Sequence, residues 1–211
     1  MADPCRLYLI TPPSIDSAFA DTLARALDAG DVACLQLRLK DADRDTVRAA
    51  IDALRPIAQS RNVAFLLNDD PHLAADSGCD GVHIGQDDSP YSDARAAFGT
   101  NGIVGVSCQA SRHLAIDAAD SGADYVAFGA FYCSATKQSE DTVELEVLQL
   151  WHEVTTVPCV AVGGITVKNC APLVRAGANF IAVVAGVWDY PDGAAAAVHD
   201  FNAAIASAEA S

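Results

Sequence analysis

The sequence is short of positive charge. Its 211 residues carry 13 lysines and arginines against 28 aspartates and glutamates, for a formal net charge of −15. Such a surface repels phosphate backbones and anionic lipid headgroups, which argues against nucleic acid and anionic membranes as partners. Long apolar runs are missing too: none reaches the ~18–20 residues that a membrane-spanning helix needs. The opening stretch, Met1-Ala2-Asp3-Pro4, holds an acid and no basic cluster, so no secretory signal is expected. Also absent is any Cys-x-x-Cys pair among the seven cysteines (5, 34, 79, 108, 133, 159 and 170), most of which lie in apolar stretches such as Ala33-Cys34-Leu35 and Pro158-Cys159-Val160. An odd, scattered set of this kind argues against a disulfide framework and reads as small core residues in a reducing cytoplasm.

What is present is a globular composition, 51% apolar and 19% charged, at a length that suits one domain spanning residues 1–211. The chain also echoes itself. Ala-rich helical segments end in a small residue and glycine, and a β-rich run follows: Asp28-Ala29-Gly30 before Ala33–Leu37, Asp76-Ser77-Gly78 before Gly81–Ile84, Asp120-Ser121-Gly122 before Tyr125–Phe128, and Arg175-Ala176-Gly177 before Phe180–Val183. Glycine accepts the left-handed conformation that closes a helix, after which the chain can enter a buried strand. Four further short apolar runs, Arg6–Ile10, Ala64–Leu67, Ile103–Val106 and Cys159–Val162, bring the expected strands to eight. Helical stretches such as Arg44–Gln59 and Leu145–Val154 separate them. Strict alternation on this scale predicts a single-domain (β/α)8 TIM barrel, with a doubly wound open sheet as the alternative, because alternation alone does not prove closure. The connection 130–143 is unusually long and polar, and is expected to act as a lid. The Ala/Ser-rich tail is expected to fray after about residue 204.

In a barrel the C-terminal ends of all strands share one face, where chemistry takes place. Strand two runs into Gln36-Leu37-Arg38-Leu39-Lys40, whose alternation sets an amide and two cations on one side, a grouping suited to phosphate oxygens. Strand three ends in Asn68-Asp69-Asp70, and Gly85-Gln86-Asp87-Asp88 follows strand four. Carboxylates on neighbouring strand ends beside phosphate-binding groups suit Mg2+, which takes one or two carboxylates, waters and substrate phosphate. Asp70, before Pro71, reads as a helix N-cap and leaves Asp69 to the metal; between Asp87 and Asp88 the pattern does not choose. His83, alone in the fourth strand, reads as a hydrogen-bonded core group, and His72, His113, His152 and His199 fall on helical stretches. After the last two strands come Gly163-Gly164-Ile165 and Val184-Ala185-Gly186, where backbone N–H groups can approach a phosphate monoester.

Taken in order, these motifs resemble thiamine-phosphate synthase and its TenI-like relatives, from Leu7 to about Trp188. The carrying segments are Gln36–Lys40, Asn68-Asp69, Gly81-Val82-His83-Ile84-Gly85-Gln86-Asp87-Asp88, Gly105-Val106-Ser107, Ser134-Ala135-Thr136-Lys137 and Gly163-Gly164-Ile165. The resemblance implies a transferase of thiamine biosynthesis that joins hydroxymethylpyrimidine diphosphate to hydroxyethylthiazole phosphate, with Mg2+ as cofactor and small phosphorylated molecules as its partners. Gln36, Arg38, Lys40, Asn68 and Lys137 would hold the diphosphate, with Arg38, Lys40 and Lys137 as the catalytic cations, and Asp69 and Asp88 would bind the metal. Ser107 would lie near the pyrimidine or the diphosphate. Ser134 and Thr136 would contact the thiazole phosphate or the diphosphate, and Gly164, Val184 and Ala185 would surround the thiazole phosphate. A cytoplasmic location and, as the assembly to test, a homodimer complete the expectation.

The chain departs from the family's pattern at three places. Ser-Thr-His becomes Ser107-Cys108-Gln109, the loop's Pro-Thr-x-Thr-Lys becomes Cys133-Ser134-Ala135-Thr136-Lys137, and the serine after strand eight becomes Ala185. One lost neutral hydrogen bond costs ~1 kcal/mol, which weakens an acceptor pocket without abolishing it. Two rivals differ in kind. A TenI-like thiazole tautomerase usually lacks the metal elements and uses a histidine where Gln109 stands, and a non-catalytic phosphate-binding barrel would not need Lys40, Lys137, Asp69 and Asp88.

Overall fold

The computed structural model describes residues 4–133 and 142–210. The chain alternates β1 (Arg6–Ile10), α1 (Phe19–Leu27), β2 (Val32–Leu37), α2 (Arg44–Gln59), β3 (Ala64–Asn68), α3 (Pro71–Asp76), β4 (Gly81–Ile84), α4 (Tyr91–Phe98), β5 (Ile103–Gln109), α5 (Arg112–Asp120), β6 (Tyr125–Gly129), α6 (Glu146–Val154), β7 (Cys159–Val162), α7 (Ala171–Arg175), β8 (Phe180–Val183), a short α8 (Ala185–Trp188) and α9 (Ala194–Glu209). Neighbouring strands pair in parallel in chain order, and β8 closes on β1 through Leu7 opposite Ile181. The (β/α)8 barrel is therefore closed, and the open-sheet alternative is excluded.

Strand alternation gives each strand two faces with different work. Leu7, Leu9, Leu35, Leu37, Phe65, Leu67, Val82, Val104, Val126, Phe128 and Ile181 belong to the large cluster shared with the helices. The intervening residues Tyr8, Ile10, Cys34, Leu66, Tyr125, Ala127, Val160 and Ala182 form a separate cluster that fills the lumen. Period-two alternation in buried parallel strands produces this division, and it aims the polar members of the inner set, Gln36, His83 and Ser107, at the barrel axis. Strand β5 runs further than the apolar run Ile103–Val106 implies, because its pairing with β6 slips between Ser107 and Gln109, and Gln109 takes φ 54°.

The lower rim is fastened by a repeated device. The aspartate or asparagine two residues after a helix-closing glycine clasps the preceding strand in both directions. Asp80 donates its backbone N–H to the Phe65 carbonyl and accepts the Phe65 N–H at 2.7 Å. Asp124 does the same with Val104 at 2.7 Å, and Asn179 with Cys159 at 2.9 Å. Arg95 adds an ion pair to Asp124 at 2.5 Å. Gly78, Gly122 and Gly177 in this Gly-x-Asx echo have positive φ, whereas Gly30 does not and lies instead against the Asn202 side chain.

The expected fraying after residue 204 is corrected. Helix α9 continues to Glu209, with Ile205 and Ala208 buried and the Glu209 carboxylate accepting the Cys5 N–H. Alanine-rich composition reads as a loose tail only while the partner surface is unknown; here the same small residues let α9 pack closely on α1 and α7. Of the seven cysteines, six are buried as expected, Cys133 is exposed, and all are unbridged. Among the described residues no helix is long and apolar enough to cross a membrane. Truncating a buried isoleucine to alanine costs ~2–5 kcal/mol. Ile205→Ala is therefore expected to lower the urea midpoint clearly, and an unchanged midpoint would show that the last turns of α9 are not packed.

Candidate active site

At the upper end of the lumen the inner polar residues join in one continuous hydrogen-bond chain. Gln36, 3% exposed, donates from Nε2 to Asn68 Oδ1 at 2.5 Å and accepts at Oε1 from the Tyr8 hydroxyl at 2.9 Å. The Tyr8 hydroxyl meets that of Tyr125 at 2.9 Å. Tyr125 meets His83 Nδ1 at 2.8 Å, and His83 Nε2 meets Ser107 Oγ at 2.8 Å. Burial pushes both phenols well above their ordinary value and lowers His83 to about 4, so all three rings are neutral at physiological pH. His83 is thus the hydrogen-bonded core group its strand position implied, and it touches a candidate site residue.

Gly105 makes that chain sterically feasible. It lies between His83 and Tyr125 in the strand register, and a Cβ on it would stand 1.9 Å from the Tyr125 ring. The missing side chain lets the phenol reach across β5 to the imidazole. Ser107, only partly buried, presents the end of the chain to the mouth. Its carbonyl accepts from Gln86 Nε2 at 2.7 Å, which ties the loop after β4 to β5.

The carboxylates stand on the rim beside this chain. Asp69 follows β3 in a left-handed conformation, φ 72°, fixed by its N–H donating to the His83 carbonyl at 2.9 Å. Although the residue is exposed overall, partial desolvation and then the neighbouring Asp88 carboxyl push its pKa up to about 6, while Asn68 and Arg38 oppose that rise. Asp88 turns one oxygen back to accept the Gly85 N–H at 2.7 Å. Asp70 caps α3 by accepting the Leu73 N–H at 2.8 Å, as its place before Pro71 implied. Two neighbouring carboxylates of this kind are chemically suited to a hard divalent cation that completes its shell from water and substrate. Among the described residues no larger cluster of metal-binding side chains accompanies them.

Strand β2 stops at Leu37, so Arg38 and Lys40 stand on the following loop, exposed at the mouth. Among the described residues neither forms an ion pair with a carboxylate. Buried Thr11 splints this edge by donating its N–H to the Gln36 carbonyl at 3.0 Å and accepting the Arg38 N–H at 2.9 Å.

On the opposite rim, Gly164 turns at φ 63°, and a Cβ there would stand 2.5 Å from the Tyr132 carbonyl. Asn169 holds the turn by accepting the Thr166 N–H at 2.7 Å and donating to the Gly164 carbonyl at 3.1 Å, and the Tyr132 hydroxyl donates to the Asn169 carbonyl at 2.8 Å. The short helix α8 begins beside it at Ala185, just after Val184, and Trp188 ties it to β1 by donating to the Ile10 carbonyl at 2.6 Å. Ser134, Thr136 and Lys137, with most of the lid expected over 130–143, lie outside the described residues. Tyr8, Tyr125, Thr11 and Asn169 were missed in the sequence because apolar neighbours made the tyrosines look like plain strand residues; their position in the inward alternating set was the available signal.

Polar side chains gathered at the C-terminal ends of the strands, with a glycine turn and a short helix after β7 and β8, define an enzyme of the (β/α)8 barrel class. The thiamine monophosphate synthase family model matches residues 7–187, and the chain belongs to that family. The chain is 61% identical to the thiamine-phosphate synthase of Rhodospirillum centenum, over 94% of this chain and 96% of that one. It is 51% identical to the enzyme of the same name from Hyphomonas neptunium, over 96% and 94%. The solved thiamine phosphate pyrophosphorylase of Pyrococcus furiosus superposes with a TM-score of 0.84 at 26% identity, covering 96% of each chain.

The Asp69 environment has a measurable consequence. A carboxyl raised in the folded state contributes stability that is complete below its unfolded pKa and lost as pH rises through its folded value. In chelator, the stability this group contributes is therefore lost as pH rises from its ordinary value of 3.8 to about 6. Asparagine removes the like-charge repulsion and tolerates the left-handed backbone. Asp69→Asn is expected to raise the melting temperature of metal-free protein at pH 7.5 and to leave it little changed at pH 4.5. Equal effects at both pH values would contradict the charge-pair account.

Proposed function

We propose that this barrel joins hydroxymethylpyrimidine diphosphate to hydroxyethylthiazole phosphate, releasing pyrophosphate and thiamine phosphate. The reading rests on family membership. Within the chain, the observation that carries it is the facing pair Asp69 and Asp88 beside Arg38 at adjacent strand ends. A thiazole tautomerase or a passive phosphate binder has no need of that arrangement.

In this reading the thiazole nitrogen attacks the pyrimidine methylene. The carbon–nitrogen bond forms as the carbon–oxygen bond to diphosphate breaks, and the electron pair leaves with pyrophosphate. The aminopyrimidine stabilises the electron-poor methylene itself, so no protein nucleophile is required. Gln36, Asn68, Arg38 and Lys40 hold the diphosphate, and Lys137 meets it as charge develops. The Gly164 turn and the Val184–Ala185 backbone receive the thiazole phosphate, with Ser134 and Thr136 as contacts to the thiazole phosphate or the diphosphate. Mg2+, held by Asp69 and Asp88, would supply positive charge to the departing oxygens. The rest is electrostatic placement and exclusion of water from the methylene. The buried free cysteines support a cytoplasmic setting. A homodimer belongs to the same reading, and its test is the molar mass in solution.

Two outcomes are expected. With both substrates present, pyrophosphate and thiamine phosphate should appear together with Mg2+ and cease in chelator, and Asp88→Asn should reduce turnover far more than thiazole-phosphate affinity. Full activity in chelator would remove the metal from the reading. Lys137→Ala should lower kcat more than it raises the thiazole KM, because a cation aimed at a leaving group contributes most in the transition state. A solvated loop lysine would leave the single-turnover rate unchanged.

A further inference from the structure

The lumen chain has a direction that its bond inventory determines. The Gln36 amide donates from Nε2 to Asn68 Oδ1 at 2.5 Å. Gln36 Oε1 must then accept, and the single Tyr8 proton is given to it. Tyr8 has no second proton, so the 2.9 Å contact to Tyr125 is made by the Tyr125 proton. Tyr125 in turn can only accept at its 2.8 Å contact with His83, which places the imidazole proton on Nδ1. His83 Nε2 is therefore bare, and the Ser107 hydroxyl donates to it at 2.8 Å. No charged group interrupts the sequence. His83 and the Cys34 thiol beside Tyr8 are both buried, where the neutral form is favoured, so no thiolate competes for the Tyr8 proton. Every donor points from Ser107 toward Asn68, and Ser107 Oγ is left with lone pairs alone to turn to the partly open mouth.

We propose that Tyr8, Tyr125 and His83 are positioning residues that hold Ser107 as an obligate hydrogen-bond acceptor, and that this polarity selects a heterocycle presenting an N–H donor over one presenting a carbonyl oxygen. The choice of heterocycle rests on the synthase reading, in which the donor substrate is an aminopyrimidine; the polarity of the chain does not. An amino substituent gives Ser107 the proton it lacks. An oxo analogue sets acceptor against acceptor, and the site can relieve this only by breaking the Ser107–His83 bond and orphaning a buried ring nitrogen.

The direction makes an unusual variant informative. In Tyr8→Phe the Tyr125 proton loses its acceptor and turns to His83 Nδ1. The imidazole proton moves to Nε2, and the Ser107 proton is released toward the mouth. Two-bond 1H–15N correlation spectra of the folded protein should show His83 protonated on Nδ1 in the wild type and on Nε2 in Tyr8→Phe. Tyr125→Phe, which removes the acceptor at Nδ1, should lose the single tautomer and serves if Tyr8→Phe does not fold. The kcat/KM ratio for the aminopyrimidine diphosphate over its oxo analogue should fall roughly tenfold in Tyr8→Phe, the worth of one well-placed hydrogen bond. The KM for the thiazole phosphate should stay within about twofold, since that site lies on the far rim. A merely structural role for Tyr8 would move stability without reversing the tautomer. Wild-type His83 protonated on Nε2, or a variant with unchanged tautomer and unchanged substrate ratio, overturns the proposal. If the wild type turns over neither heterocycle, the synthase reading falls, and the tautomer spectra still decide the chain's direction.

Discussion

The inside of the barrel must be filled, and most of the active site follows from how this chain fills it. An eight-stranded barrel encloses a lumen that side chains have to pack. Part of it is filled by Cys34, Leu66, Ala127, Val160 and Ala182, which ask for nothing but contact. The rest is filled by two phenols, an amide and an imidazole. Each buried polar group there would cost ~1–3 kcal/mol if left unpaired, so the set is tolerable only when complete. Completeness makes it rigid, and a rigid base is what a site that works by electrostatic placement requires.

Charge is arranged around that base with the same economy. A protein of net charge −15 cannot offer a general positive field to two phosphorylated substrates. Arg38 and Lys40, without carboxylate partners among the described residues, stand where β2 gives way to its loop. The neighbouring Asp69 and Asp88 create the complementary demand, a local excess of negative charge that the proposed divalent cation would relieve. The acidity of the whole and the local supply of positive charge are thus two sides of one solution.

The strands, their order and the inward alternation were legible in the sequence because burial on both faces leaves continuous apolar runs that polar residues interrupt only where they face the lumen. Gln36 could be read as a candidate site residue for that reason, Asp69 from the acidic end of its strand, and Asp88 rather than Asp87 only through the family resemblance. Tyr8 and Tyr125 could not. A tyrosine in an apolar strand looks the same whether its hydroxyl meets a partner or the solvent, and only the register that sets His83, Gly105 and Tyr125 side by side reveals the partner. The tail was misread for a related reason: Ile205 and Ala208 are core only relative to a surface that the rest of the chain has to build first.

The reciprocal clasps at Asp80, Asp124 and Asn179 lie at the end of the barrel opposite the mouth. They act as a hoop on a cask: the staves are held at the foot, and the rim is left to carry whatever the contents require. A hydroxyl lost at Ala185, or a changed pair at Cys108-Gln109, alters the rim without loosening the foot. Such a molecule can drift in what it accepts long before it drifts in what it is, and its lineage can retune the rim one residue at a time.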